Sequence, residues 1–381
     1  MKILYFSRDY TIHDQRFLSA LSQTEHQVAF LRLEQGSNGL DDTSLPPGIE
    51  AISWAGGRRR YGEADEQLLL TGLEGVLGRF QPDLVQAGPL HLSANLVAQT
   101  AFSPLVSMSW GYDLLYDAPR SQEVQQAIRF TLSCSDAMVG DCNTIRQLAI
   151  GYGMPDERIV TFPWGIDLEY FSPRTVSTDG LESGKPFTLL STRGWEPIYG
   201  VELIARAFVQ AARQCPALHL VMLGSGSQAG LIRQILQDGE VLDRVEFPGQ
   251  VGLPDLPSYY QGADVYISAT HSDGTSISLL EALASAKPVI VSDIPGNREW
   301  IEPGVQGWQF PDGEAPALVE AILLAYQQRE QLTAMGRAAR LLAEQRADWN
   351  KNFPELFKAY QIALNVEHLP LNVQPTTVKS A

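Results

Sequence analysis

The sequence predicts an α/β protein of two doubly wound, parallel-sheet domains facing a cleft, and three observations carry that expectation. The chain has 381 residues, more than one hydrophobic core of ordinary size accommodates, so two domains are the default. Apolar, β-branched runs alternate with helical periods almost throughout, the pattern of parallel strands covered on both faces. The alternation breaks once, at "PWGIDLEYFSPRTVSTDGLESGKP", which is rich in Pro, Gly, Ser and charge and reads as a linker.

In the first half "KILYFS" reads as a strand, and "DQRFLSALSQ" places apolar residues at 17, 18 and 21 on one helical face. The strands "HQVAFLRL" and "IEAISWA" follow, then the helical "EADEQLLLTGLEGVLGRF", the strand "DLVQA" and the helical "LSANLVAQTA". "PLVSMSW", a helix over about 121–133, "AMVGD", a helix near 143–151 and "RIVTF" complete this half. Beyond the linker come "FTLLST", a helix over about 200–214, "LHLVMLG", a helix near 228–238, "VEFPG", a short helix near 255–261, "DVYISA", a helix after 277 and "PVIVSD". Residues from about 315 to 365 read as helical, and no solenoid-length repeat is evident. The expected limits are an N-terminal Rossmann-like domain at 1–172, a C-terminal Rossmann-like domain at 173–345, a helix at 346–366 returning to the N-domain, and a tail at 367–381.

Composition excludes several functions. A net charge of −16 argues against general nucleic-acid binding, which needs clustered Lys and Arg to neutralise phosphates. It also argues against a purely electrostatic hold on anionic lipid. One local exception is "GGRRRYG" at 56–62, read either as a solvated basic loop or as a dock for an acidic or lipid-linked partner, which leaves a peripheral membrane contact open. No run is apolar and long enough to span a bilayer. "MKILYFSRDYT" lacks a signal peptide's apolar stretch and reads as a first strand. Cys134, Cys142 and Cys215 form no C-x-x-C pair, which fits a reducing cytoplasm.

In sheets of this kind, ligands sit beyond the carboxyl ends of the strands. "HSDGTSISLLEALASAKPVIVSD" at 271–293 follows the strand "DVYISA" and places Asp273 and Glu281 at either end of a loop of small residues entering a helix. Each acid has a structural explanation: "SLLE" is a capping box from Ser278 to Glu281, and Asp273 is a turn former before Gly274. Together they form a loop whose amides suit a diphosphate and whose carboxylates suit sugar hydroxyls. Arg193 stands at the end of "FTLLST", before a helix start near Gly200. It suits a phosphate, or an ion pair with a nearby acid such as Glu196. "VMLGSGSQAG" fits G-x-G-x-x-[GA] at Gly224, Gly226 and Ala229, with Glu246 about twenty residues on, and so opens the alternative of an NAD-dependent oxidoreductase. The fingerprint belongs on the first strand of its domain, however, and "FTLLST" precedes it. No P-loop, D-x-D or H-E-x-x-H pattern occurs, and His271 with Asp273 is too small a set for a metal, so neither metal nor cofactor is expected.

The run D-G-T-S-I-S-L-L-E-A followed by "LASAKPVIVSDIPGNREWI", with "PWGIDLEYFSP", "STRGWEPIYGVELIARAF" and "VEFPGQVGLPDLPSYYQGADVYISAT", resembles the retaining glycosyltransferases of GT-B fold, specifically their large fourth sequence family of E-x7-E type. The resemblance extends over nearly the whole chain. It implies transfer of a sugar from a nucleotide-diphosphate sugar to a sugar, glycan or lipid-linked acceptor with retention, without a metal. Asp273 then stands beside the donor sugar, Glu281 binds ribose hydroxyls, and the amides of Gly274, Thr275, Ser276 and Ile277 hold sugar and distal phosphate. Arg193 clamps the diphosphate, with Gly224 and Tyr199 also on the donor side and Trp110 and Asp113 on the acceptor side. The chain departs from the family at four places: Tyr199 replaces a lysine, Asp273 a glutamate and Trp110 a histidine, and "SRDYTIHD" stands where the family has an N-terminal Gly-Gly loop. An epimerase or hydrolase acting on nucleotide sugars, with the same fold, is the remaining alternative.

Overall fold

The structure is a computed structural model; it describes residues 1–36, 40, 44–57, 66–173 and 185–365. The basic core of "GGRRRYG", part of the linker and the C-terminal tail lie outside the described residues. The described residues divide into two compact units, one of Met1–Phe162 with 350–365, the other of Pro163–Trp349.

The first unit contains β1 (Lys2–Ser7), α1 (Ile12–Leu21), β2 (Gln27–Arg32), β3 (Glu50–Ala51), α2 (Glu66–Phe80), β4 (Leu84–Gly88), α3 (Ser93–Gln99), β5 (Leu105–Met108), α4 (Gln122–Cys134), β6 (Ala137–Gly140), α5 (Asn143–Gly151) and β7 (Ile159–Thr161). The sheet order is β3-β2-β1-β4-β5-β6-β7, every pairing parallel. Strands β4, β5 and β6 are buried along their full length, as expected of parallel strands covered on both faces. "IEAISWA" yields only two residues of strand, at the sheet edge. The start of α1 is a complete capping box: Asp14 N donates to Thr11 Oγ1 at 3.4 Å and Thr11 N donates to Asp14 Oδ2 at 2.9 Å.

The second unit contains β8 (Phe187–Ser191), α6 (Val201–Gln214), β9 (Leu218–Leu223), α7 (Ala229–Asp238), β10 (Val245–Gly249), α8 (Leu256–Gly262), β11 (Val265–Ser268), α9 (Ile277–Ala284), β12 (Val289–Ser292), α10 (Pro295–Arg298), β13 (Gly307–Phe310), α11 (Ala315–Gln327) and α12 (Leu332–Arg346). Its order is β10-β9-β8-β11-β12-β13, again all parallel. Helix α6 buries Leu203, Ile204, Ala207, Phe208 and Ala211 on one face, the i, i+3, i+4 stripe that packs a helix on a sheet. Strand β13 is absent from the expected elements, because "GWQF" is too short to show a period.

The segment after the second unit holds α13 (Trp349–Asn352) and α14 (Leu356–Leu364). Helix α14 lies on β5, β6 and β7 of the first unit, and the Tyr360 hydroxyl bonds Gln86 Oε1 of β4. The units meet at Phe162 and Pro163 rather than at 172, because Ile166 and Phe171 are buried in the second unit's core. The expected helical region from 315 to 365 is four helices.

In both sheets the first and fourth strands of the unit are neighbours and the chain winds outward from them in opposite directions. The crevice where β8 and β11 diverge is therefore a topological switch point, and so is that of β1 and β4.

Candidate active site

Arg193 leaves the carboxyl end of β8 and its guanidinium is held from several sides. Nη2 lies 2.9 Å from Asp273 Oδ2. Nη1 donates to Ser276 Oγ at 3.0 Å and to Ser278 Oγ at 3.3 Å. The group stacks on the Tyr199 ring at 4.1 Å from its centroid. Burial, the largest influence, works against the charge, but the Asp273 carboxylate together with Tyr199, Tyr266 and Tyr260 outweighs it and holds Arg193 above its ordinary range, so it is a permanent cation. The contact to Asp273 Oδ2 is close yet lacks hydrogen-bond alignment. That oxygen and Arg193 Nε are both buried without a hydrogen bond among the described residues, and so retain capacity for one.

The loop after β11 brings Asp273, Gly274, Thr275 and Ser276 to the same place, and α9 begins at Ile277 with Ser276 as its N-cap. The backbone here is tightly seated: a Cβ on Gly296 of α10 would stand 2.5 Å from Asp273 O and 2.2 Å from Gly274 O. The expected capping box does not form. Ser278 lies inside the first turn, and its hydroxyl accepts from Arg193 and from Tyr266 Oη at 2.9 Å. Glu281 turns elsewhere and accepts from Tyr260 Oη at 2.7 Å, within the core face of α9. Tyr260 Oη also contacts Thr192 Oγ1 at 3.1 Å. Burial, reinforced by Glu281, pushes the Tyr260 hydroxyl well above its ordinary pKa, so it remains a donor to the carboxylate. Thr192, Tyr260 and Tyr266 were not singled out from sequence, and Ser278 only as a helix cap, since no spacing links residues of β8, α8, β11 and α9.

The remaining sequence candidates separate. Glu196 does not pair with Arg193: it accepts from Ser227 N at 2.8 Å and from the Ser227 hydroxyl, which hold its carboxylate below the usual range. Gly224, at φ +92°, ends β9, and a Cβ there would stand 3.1 Å from Arg193 O, so it shapes the turn behind Arg193. It ends the unit's second strand rather than its first, one strand away from the switch point. Glu246 is the second residue of β10, at its amino end rather than its carboxyl end, and contacts His219 Nε2 at 3.0 Å. The dinucleotide arrangement is therefore not formed. His271 and Asp273 also part: His271 Nδ1 is 2.6 Å from Asp312 Oδ1.

In the first unit, Trp110 follows β5 and packs near Phe17 and His13, with ring centroids 6.3 Å and 6.1 Å apart. Asp113 is fully buried and accepts from Leu90 N at 3.0 Å, Ser109 Oγ at 2.6 Å and Leu114 N at 3.0 Å. It ties the exits of β4 and β5 together and presents no surface to a ligand. His91, after β4, lies 3.5 Å from Asp117, and burial lowers its pKa.

The family model described as "Glycosyl transferases group 1" matches residues 176–342, and that described as "Glycosyl transferase 4-like" matches residues 2–141. The GtfA subunit of the UDP-N-acetylglucosamine–peptide N-acetylglucosaminyltransferase of Streptococcus pneumoniae is 30% identical over 162 residues, 42% of this chain and 30% of that protein. The putative colanic acid biosynthesis glycosyltransferase WcaL of Salmonella typhimurium is 25% identical over 293 residues, 72% of this chain and 70% of its own length. Among solved structures, Anabaena Alr3699/HepE in complex with UDP superposes with a TM-score of 0.76 at 16% identity, over 95% of this chain and 100% of that one. The two sheets have the winding of the GT-B fold, and over these two stretches the chain is similar to the group 1 glycosyltransferases.

Proposed function

We propose that the protein transfers a sugar from a nucleotide-diphosphate sugar to an acceptor with retention of anomeric configuration and without a metal ion. The observation that carries this reading is the cluster of Arg193, Asp273 and Ser276 at the switch point of the second sheet, where a fixed cation, a carboxylate and a helix N-terminus converge. UDP and UDP-glucose complexes of HepE support a nucleotide-sugar donor. The similarity to WcaL, by its name a putative colanic acid biosynthesis glycosyltransferase, supports sugar transfer, to a sugar, glycan or lipid-linked acceptor in this reading. None of the described helices is long and apolar enough to cross a membrane, and a cytoplasmic site of action with peripheral membrane contact fits this reading.

The chemistry assigns roles by charge. As the bond from the anomeric carbon to the phosphate breaks, negative charge grows on the departing diphosphate and positive charge on the sugar. Arg193 and the loop amides from Gly274 to Ile277 stabilise the first. Asp273, whose Oδ2 keeps hydrogen-bonding capacity, stabilises the second. Glu281 grips the ribose while Tyr260 fixes its carboxylate. Because Arg193 supplies the cation, activity survives chelation.

A thermal-shift panel of UDP, GDP, ADP and NAD tests the donor, since a bound ligand stabilises by mass action. A shift with one nucleoside diphosphate and none with NAD is expected; a shift with NAD alone would refute the reading. With the donor known, proton NMR of the anomeric coupling in the product reports retention. Loss of turnover in EDTA, restored by manganese, would remove metal independence.

A further inference from the structure

We propose that His271, held by Asp312, is a second phosphate-recognition residue of the donor site; the proposal rests on the nucleotide-sugar reading above. The motivation is the state of the cations at these strand ends. Arg193 is offset by Asp273 at 2.9 Å. Arg298, after β12, is committed to Asp293 through two contacts of 2.6 and 3.0 Å. A nucleoside diphosphate brings at least two negative charges to this rim. His271 differs from both arginines in how it is paired. Asp312 engages only Nδ1, at 2.6 Å, and Nε2 projects from the opposite side of the ring.

The backbone decides where Nε2 looks. His271 N donates to Ile198 O at 2.9 Å, which ties the residue to the turn before α6. Gly200 completes that turn at φ +56°, and a Cβ there would clash with Ala269 O at 2.2 Å. The same Cβ would stand 3.2 Å from His271 Nε2. Nε2 therefore faces the start of α6, whose N-cap is Gly200 and carries no side-chain cap. The preceding residue, Tyr199, carries the Arg193 guanidinium on its ring. Arg193 and His271 thus flank one turn, and a phosphate seated there meets a guanidinium on one side and an imidazole on the other. With Asp312 at Nδ1, Nε2 is the nitrogen left to meet a phosphate oxygen. This role belongs to a side chain that the sequence pattern offered only as a partner of Asp273.

Calorimetric titration of UDP and of uridine into wild type, His271→Gln, His271→Lys and Asp312→Asn tests it, with GDP and guanosine, and ADP and adenosine, run in parallel. His271→Gln should weaken the diphosphate about tenfold and leave the nucleoside unchanged, as loss of one charge-assisted contact requires. His271→Lys should recover most of that loss. Asp312→Asn should weaken the diphosphate about threefold, again sparing the nucleoside. Equal affinity of wild type and His271→Gln for the diphosphate, or an equal loss for diphosphate and nucleoside, overturns the proposal. Should His271→Gln unfold, the same contrast is read from Asp312→Asn. If wild type binds none of the three diphosphates, the donor reading itself fails, a different result from a silent substitution in a protein that binds.

Discussion

The two switch points of this protein share a topology and differ in chemistry. Both lie between the first and fourth strands of their unit, both at carboxyl ends. At β8 and β11, charged and hydroxyl groups gather around Arg193, and the buried Asp273 Oδ2 and Arg193 Nε keep unused hydrogen-bonding capacity. At β1 and β4, most of the named polar groups pair internally: Asp113 takes three donors, Arg8 pairs with Glu34, and Asp14 is buried under Tyr5 and Thr11, while His91 Nδ1 keeps unused capacity. Winding creates the crevice, but the side chains decide whether it is a binding site or a braced scaffold.

The sharpest way to break that contrast is Arg193→Ala. Removing the cation of the second rim should cost about 2–4 kcal/mol in the transition state, a loss of turnover of about a hundredfold or more. Turnover within threefold of wild type in a folded protein would leave Arg193 as a packing residue on Tyr199.

In the first unit the large effect is on stability and follows pH. Burial pushes the Asp14 carboxyl up to about 6, against donors that favour its charge. Its folded pKa is thus raised above the unfolded one. Between about pH 4 and 6 the folded state holds more protons, so stability falls as pH rises through that window, by up to about 3 kcal/mol. Asp14→Asn should flatten this slope. Hydrogen exchange of peptides from β1 and α1 at pH 4, 5, 6 and 7 measures it, and a slope unchanged in the variant refutes the assignment.

The same substitution made in both rims compares them directly. Asp273→Asn should lower turnover at least tenfold, about 1.4 kcal/mol, with little change in melting temperature. Asp273→Glu should be milder. Asp113→Asn presents an amide to a site built from donors and should destabilise the first unit by about 1–3 kcal/mol. If Asp273→Asn is active and Asp273→Glu unstable, Asp273 is a turn residue.

The smallest effect concerns Glu281. Glu281→Gln still accepts from Tyr260 but loses its charge, so nucleoside affinity should drop several-fold with the fold retained. Tyr260→Phe should cost stability, about 1 kcal/mol, more than affinity. Equal nucleoside affinity in wild type and Glu281→Gln would return that carboxylate to a structural role.

The sequence by itself determined the winding of both sheets, because buried parallel strands and amphipathic helices write their periods directly into residue order. It also pointed to Arg193 and Asp273, since carboxyl ends of strands can be located once strands are found. Only the tertiary structure decided what these residues touch. The capping box from Ser278 to Glu281 was a sound local expectation. It failed because Arg193 from β8 and Tyr266 from β11 claim the Ser278 hydroxyl and Tyr260 from α8 claims Glu281. His271 likewise sits two residues from Asp273 in sequence, yet its partner is Asp312, beyond β13. Local spacing sets helix and strand; which polar groups meet depends on hydrogen bonds between segments tens of residues apart, and that pairing is settled only when the sheet closes.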